Sequence, residues 1–133
     1  MKYLLDTHVL LWTLFEPSRL SKKVKDLVLD DENEIYVSIV SLWEISMKYG
    51  IGKLNLENIQ PEELPIYINK SGFEILHLDD TVASSFHKLP RLTHFDPFDR
   101  MLIWQSIHSQ MTIVSKDKQF NEYTSFGLKL FWK

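Results

Sequence analysis

The sequence predicts an α/β fold, a doubly wound parallel sheet flanked by helices, in a single domain covering residues 1–133. Three observations carry that expectation. Short apolar runs alternate with longer helical segments along the chain, as in repeated strand–helix units. No repeat, linker or low-complexity stretch divides the 133 residues, a length that suits one domain with a core of ordinary size. Four acids, Asp6, Glu44, Asp99 and Asp117, stand after apolar runs or near helix starts. An α/β fold gathers such positions on one rim.

The elements follow in order. Tyr3-Leu4-Leu5 is a short buried strand stopped by Asp6-Thr7. Residues 9–15 form an apolar helix closed by Pro17. Ser21 opens an amphipathic helix with Val24, Leu27 and Val28 on one face. Ile35-Tyr36-Val37 is the second strand, and Ser38 caps a helix that reaches Gly50. Pro61-Glu62-Glu63 starts a helix ending at Gly72, and residues 73–76 form the third strand. Asp79 or Asp80 starts a helix that stops before Pro90. Asp96-Pro97 opens a helix whose expected buried side is Met101, Leu102, Trp104 and Ile107. Residues 112–114 and 128–131 are the last strands. Trp12, Trp43 and Trp104 lie on apolar helix faces, which makes core their expected place.

Composition narrows the function. A net charge of −3 argues against binding nucleic acid through bulk charge, although a local basic rim beside an acidic pocket remains compatible with a phosphodiester. The absence of cysteine excludes disulfides and thiolate metal sites, and a reducing cytoplasm is the natural location. No apolar stretch approaches the length of a membrane span. The five histidines show no paired-ligand spacing for zinc, and no glycine-rich phosphate loop is present.

Asp6 is either the cap of the following helix or a ligand for a hard cation. Glu44 fits a capping box from Ser41 and an i,i+4 pair with Lys48. With Ser38 as the better cap, Glu44 lies two turns into the helix and needs a partner if buried. Of Asp96 and Asp99, the first suits the cap and the second is left to point at the rim, with Arg100 beside it to offset charge or hold a phosphate. Asp117 is either a turn residue after a strand or a rim ligand, and Ser115 two residues earlier adds a hydroxyl. Four carboxylates on one rim repel strongly unless a divalent cation or protons neutralise them, so Mg²⁺ or Mn²⁺ and phosphate chemistry are expected.

The segments Leu4-Leu5-Asp6-Thr7-His8-Val9-Leu10-Leu11-Trp12, Ser41-Leu42-Trp43-Glu44-Ile45, Gly52-Lys53-Leu54, His94-Phe95-Asp96-Pro97-Phe98-Asp99-Arg100 and Val114-Ser115-Lys116-Asp117 resemble, in order, those of PIN domains, specifically the VapC-type toxin ribonucleases of toxin–antitoxin pairs. The resemblance implies a PIN-like nuclease domain and a metal-dependent endoribonuclease. It assigns Asp6, Glu44, Asp99 and Asp117 as catalytic and metal-binding acids, with Asp96 a fifth candidate and Ser115 and Arg100 auxiliary. Ser115 replaces a common Thr and keeps the hydroxyl, whereas Phe95 replaces a frequent Arg and weakens substrate contacts. Lys48, Lys116, Lys118 and Arg100 are candidates to guide RNA. An antitoxin partner and a homodimer are implied as well. The competing readings are a non-catalytic protein-binding module with a structural cation site, and a nuclease or phosphatase for other phosphate substrates.

Overall fold

A computed structural model describes residues 1–93 and 96–133. Five short parallel strands, β1 (Lys2–Leu5), β2 (Glu34–Ser38), β3 (Glu74–Leu76), β4 (Thr112–Val114) and β5 (Lys129–Phe131), form one sheet in the order β3-β2-β1-β4-β5. The chain walks outward from β1 through β2 to β3, then returns to the other side of β1 for β4 and β5. The reversal leaves a crevice at the carboxyl ends of β1 and β4, where ligands bind in open sheets of this kind. Register ties the two strands together. Leu5 lies opposite Val114, and the Asp6 N–H donates to the Val114 carbonyl at 3.1 Å.

Alternation along the strands sends neighbouring residues into two separate cores. Leu5, Val37 and Val114 face a cluster completed by α1 (Thr7–Phe15), α2 (Lys22–Leu29), Ile45 of α3 (Ile39–Gly50), and Leu64 and Ile68 of α4 (Leu64–Lys70). Ile113 faces the other cluster with Val40, Leu102, Ile103, Phe120, Tyr123 and Leu128. α3 therefore contributes to both cores and closes the gap between them. α5 (Asp80–Ser85) is capped by Asp79, which accepts from the Val82 N–H at 2.8 Å.

Beyond β4, Asp117 caps a run of 3-10 helix from Lys118 to Phe126, closed by Gly127 at φ 100°. Two expectations change. In α6 (Pro97–Ser109), Leu102, Ile103, Gln105 and Ser106 are the buried residues, while Met101, Trp104 and Ile107 are only partly covered. Two polar residues of the helix are buried, each with a partner. Gln105 Oε1 accepts from Ser38 Oγ at 2.5 Å, and Ser106 Oγ donates to the Met111 carbonyl at 2.7 Å. Trp43 is not core. It is 64% exposed and meets Phe98 edge to face at 5.3 Å.

Candidate active site

Asp6 sits at the carboxyl end of β1 because an apolar strand stops there and an apolar helix begins. Its Oδ1 accepts from the Val9 N–H at 2.7 Å, capping α1. The cap and the rim position are therefore the same residue. Asp6 is 4% exposed. Burial pushes its carboxyl above the usual carboxylate range. A hydrogen bond from Ser115, the Val9 N–H and the nearby His8 oppose that rise, and the charge of Asp117 adds to it.

Ser115 extends β4 by one residue and is buried. Its hydroxyl hydrogen-bonds the Asp6 carboxylate and accepts from the Asp117 N–H at 3.1 Å. A single hydroxyl thus ties the ends of two strands and fixes the start of the next turn. Asp117 is solvent-exposed, and its Oδ1 accepts from the Gln119 N–H at 2.9 Å.

Glu44 enters from the next crossover. Ser38 ends β2 and caps α3 by accepting from the Val40 N–H at 3.0 Å, which places Glu44 in the helix interior. At 3% exposure its carboxylate needs partners, and it has two. Thr7 Oγ1 donates to Oε1 at 2.7 Å, and the Lys48 ammonium binds Oε2 at 2.5 Å. Thr7 has one proton to give, so its 2.9 Å contact with Ser41 Oγ is best satisfied with Ser41 as donor. The sequence does not mark Thr7 and Ser41 as site residues. The available signal is the Asp6-Thr7 pair at a strand end, where a hydroxyl next to a rim acid reaches the neighbouring crossover.

The start of α6 supplies the other side. Asp96 is its cap, with Oδ1 accepting from the Phe98 and Asp99 N–H groups at 2.9 and 3.3 Å. Asp99 is half-buried in the first turn. Lys48 links this side to Glu44. Burial works to lower its pKa, but the hydrogen bond and charge of Glu44, with Asp96 and Asp99 behind, outweigh it and raise the value. Arg100, expected at the rim, is turned into the structure. Its guanidinium donates to the Leu89 carbonyl at 3.0 Å and to Tyr123 Oη at 3.4 Å, and lies 4.8 Å from the Phe86 ring centre. Lys116 and Lys118 are exposed beside Asp117. The segment's His94 and Phe95 lie outside the described residues.

Two groups result. Asp6, Ser115 and Asp117 interact at the ends of β1 and β4, and Lys48 interacts with Glu44, Asp96 and Asp99 between α3 and the start of α6; Thr7, next to Asp6, bonds Glu44 and joins the groups. Among the described residues no three acids or histidines converge closely enough to grip an ion as they stand. The chemistry of the donors nevertheless suits a hard cation. All are carboxylates, and Mg²⁺ keeps several waters and needs only one or two of them directly. Buried Asp6 and exposed Asp117 repel each other, and a positive charge near both would relieve that repulsion.

The PIN domain family model matches residues 3–125. This chain belongs to the PIN-domain family. Solved structures extend the likeness at the level of fold. VapBC2 from Rickettsia felis, bound to a DNA fragment from its promoter, superposes with TM-score 0.74 at 19% identity over 100% of both chains. DNA-bound VapBC from Salmonella typhimurium gives 0.68 at 18% identity, covering 98% of this chain and 97% of the other. VapBC-5 from Mycobacterium tuberculosis, of a family of toxin–antitoxin systems, gives 0.60 at 16% identity, covering 99% and 98%. No curated protein sequence matches the chain. Among the described residues no helix is long and apolar enough to cross a membrane.

Proposed function

We infer that this PIN domain, taken as one unit over residues 1–133, is a metal-dependent endoribonuclease of the VapC toxin type, acting in the cytoplasm and neutralised by a cognate antitoxin. The observation that carries this reading is the buried Asp6 carboxylate at the β1–β4 crevice, held by Ser115 and repelled by Asp117, opposite a second buried carboxylate, Glu44. Buried carboxylates are costly, and acids kept so at a strand-end crevice are suited to chemistry.

Asp6, Asp99 and Asp117 would hold Mg²⁺ or Mn²⁺, directly or through water, with Glu44 completing the set. A bound divalent cation would supply a lowered water pKa and stabilise charge developing on the phosphate. The chain's own residues do the rest. Ser115 orients Asp6 and the Asp117 turn. Thr7 holds Glu44, which would orient an attacking water. In-line attack by water with the 3′-oxygen leaving would break the P–O3′ bond and give a 5′-phosphate and a 3′-hydroxyl. Lys116 and Lys118, exposed beside the crevice, suit the RNA backbone. Arg100 is better suited to bracing residues 89–90 than to touching substrate.

Partner surfaces support the same reading. An open groove of about 500 Å³ runs between α1 and residues 55–58, lined by Leu11, Trp12, Phe15, Arg19 and Asn55 among others, and would take an antitoxin segment. Trp43 and Met47, one turn apart on α3, and Ile51 just past its end are 64%, 39% and 60% exposed and suit a homodimer contact.

The test is RNA cleavage by the purified chain with Mg²⁺, Mn²⁺ or EDTA, on transfer RNA and a mixed single strand, beside an identically made Asp99→Asn protein. Metal-dependent cleavage lost by at least about a hundredfold in the folded variant is the expected result. Equal cleavage by both proteins, or none by either, would overturn the enzyme reading in favour of a protein-binding module.

A further inference from the structure

Lys48 has a role at the rim that the family resemblance does not assign. Its ammonium lies 2.5 Å from Glu44 Oε2, on a carboxylate that is 3% exposed. The lysine side chain itself is only 31% exposed, with Nζ 6.0 Å from the Phe98 ring centre. Two helices surround it. α3 carries Glu44 one turn earlier, and the start of α6 carries Asp96 and Asp99, whose charges also act on it. A lysine placed to guide RNA would point its charge to solvent. This one points into the acids. With Thr7 on Oε1 and Lys48 on Oε2, both oxygens of Glu44 are engaged.

We propose that Lys48 is a tethered counterion of the acid rim, a positioning residue that holds Glu44 in the metal-free protein and competes with a divalent cation for that carboxylate. The inference rests on the nuclease reading above and deepens it. Without Lys48, Glu44 would be a buried charge with one hydroxyl partner, a costly arrangement. With it, the metal-free site is neutralised locally, and a divalent cation would reach Glu44 only in exchange for an ammonium carried by the same helix. The lysine stem has the freedom for this. Four rotatable bonds and a partly exposed side chain let the ammonium swing to water without moving α3.

The test is Mn²⁺ binding, followed by calorimetry and by the electron paramagnetic resonance of free Mn²⁺, on wild type, Lys48→Met, Lys48→Gln and Lys116→Met. Lys116 is an exposed lysine of the same rim and reports what loss of a surface charge does by itself. Lys48→Met and Lys48→Gln should bind Mn²⁺ about five- to tenfold more tightly, the effect of one unit charge removed from beside a divalent ion. Lys116→Met should change affinity by less than about twofold, because its charge is screened by solvent. In wild type, Mg²⁺ titration should shift the ¹⁵N signal of the Lys48 ammonium, a readout that needs no mutation. Equal or weaker Mn²⁺ binding by both Lys48 variants, an equal gain in Lys116→Met, or a Lys48 signal indifferent to Mg²⁺ would overturn the proposal and leave the nuclease reading standing. Absence of Mn²⁺ binding in every protein, together with absence of metal-dependent cleavage by wild type, would overturn both.

Discussion

Asp6 and Glu44 are at most 4% exposed, and each carboxylate is gripped by groups from other segments of the chain. Asp99 and Asp117 stand in the first turns of the segments that follow the crevice, half-buried and exposed respectively. The inner pair is oriented before any ligand arrives, by Ser115 and the Val9 N–H for one and by Thr7 and Lys48 for the other. The outer pair rests on local turns and keeps access to water. Orientation and burial are costly in stability, and solvent access is not. The difference separates residues whose removal changes both fold and chemistry from those whose removal changes chemistry alone. Asp99→Asn, placed above, tests the outer side.

The inner side should give the largest combined effect at Asp6. Asparagine keeps a cap acceptor for the Val9 N–H and removes the charge. Cleavage should fall by at least about a hundredfold. The metal-free protein should become more stable at neutral pH, because burial raises the Asp6 pKa above its ordinary 3.8. The folded protein then binds this proton more readily than the unfolded chain, so the contribution of Asp6 to stability falls as pH rises from 3.8 through the folded value. The stability advantage of Asp6→Asn should vanish at low pH, grow across that window and level off above it. Thermal melts of both proteins from acid to neutral pH, with EDTA present, measure this. A variant less stable than wild type at neutral pH would break the contrast between the two sides.

Thr7 sharpens the contrast, since among the described residues its hydroxyl bonds Glu44 and Ser41. Thr7→Val keeps the shape and deletes the hydroxyl. Glu44 loses the partner on Oε1 while remaining buried, at a cost of about 1–3 kcal/mol. Cleavage should drop about 10- to 100-fold through misorientation of the carboxylate. Denaturant melts and single-turnover cleavage measure the two effects. Loss of activity with unchanged stability would mean that Glu44 finds another partner and that the inner side is less rigid than its contacts indicate.

What the sequence made legible was local. The Asp6 cap at a strand end, Ser38 as the cap of α3 and Asp96-Pro97 as the start of α6 are all set by neighbours within a few residues. The parallel sheet followed from strands spaced by helices. The rest depends on contacts between distant parts of the chain. Thr7 and Glu44 are 37 positions apart, and neither helix pattern indicates that the two side chains meet. Arg100 reads as a rim cation beside Asp99, yet its helix direction turns it to the carbonyls of Leu89 and Pro90. Trp43 and Ile45 are both apolar on α3, and only the position of the sheet decides that Ile45 is core while Trp43 is exposed. The Lys48–Glu44 spacing was visible as an i,i+4 pair, but such a pair on a solvated face contributes little. Burial of Glu44 is what makes it significant.

The smallest effect belongs to Asp96, which tells a cap from a ligand. Its Oδ1 accepts from both the Phe98 and Asp99 N–H groups, and Pro97 at the first helical position leaves no further N–H there to satisfy. Asp96→Asn should preserve the cap and cost only a few tenths of a kcal/mol, whereas Asp96→Ala should cost about 1 kcal/mol through loss of the cap. If Asp96 acts only as a cap, cleavage by the asparagine variant stays within about threefold of wild type, well short of the 10- to 100-fold loss expected when a group that orients a metal ligand is removed. Alanine would then lower activity only as far as fraying of the first turn misplaces Asp99. A large loss in the asparagine variant with an intact melt would instead make Asp96 part of the outer acid set, and the charge itself, not the start of α6, would be what the site requires.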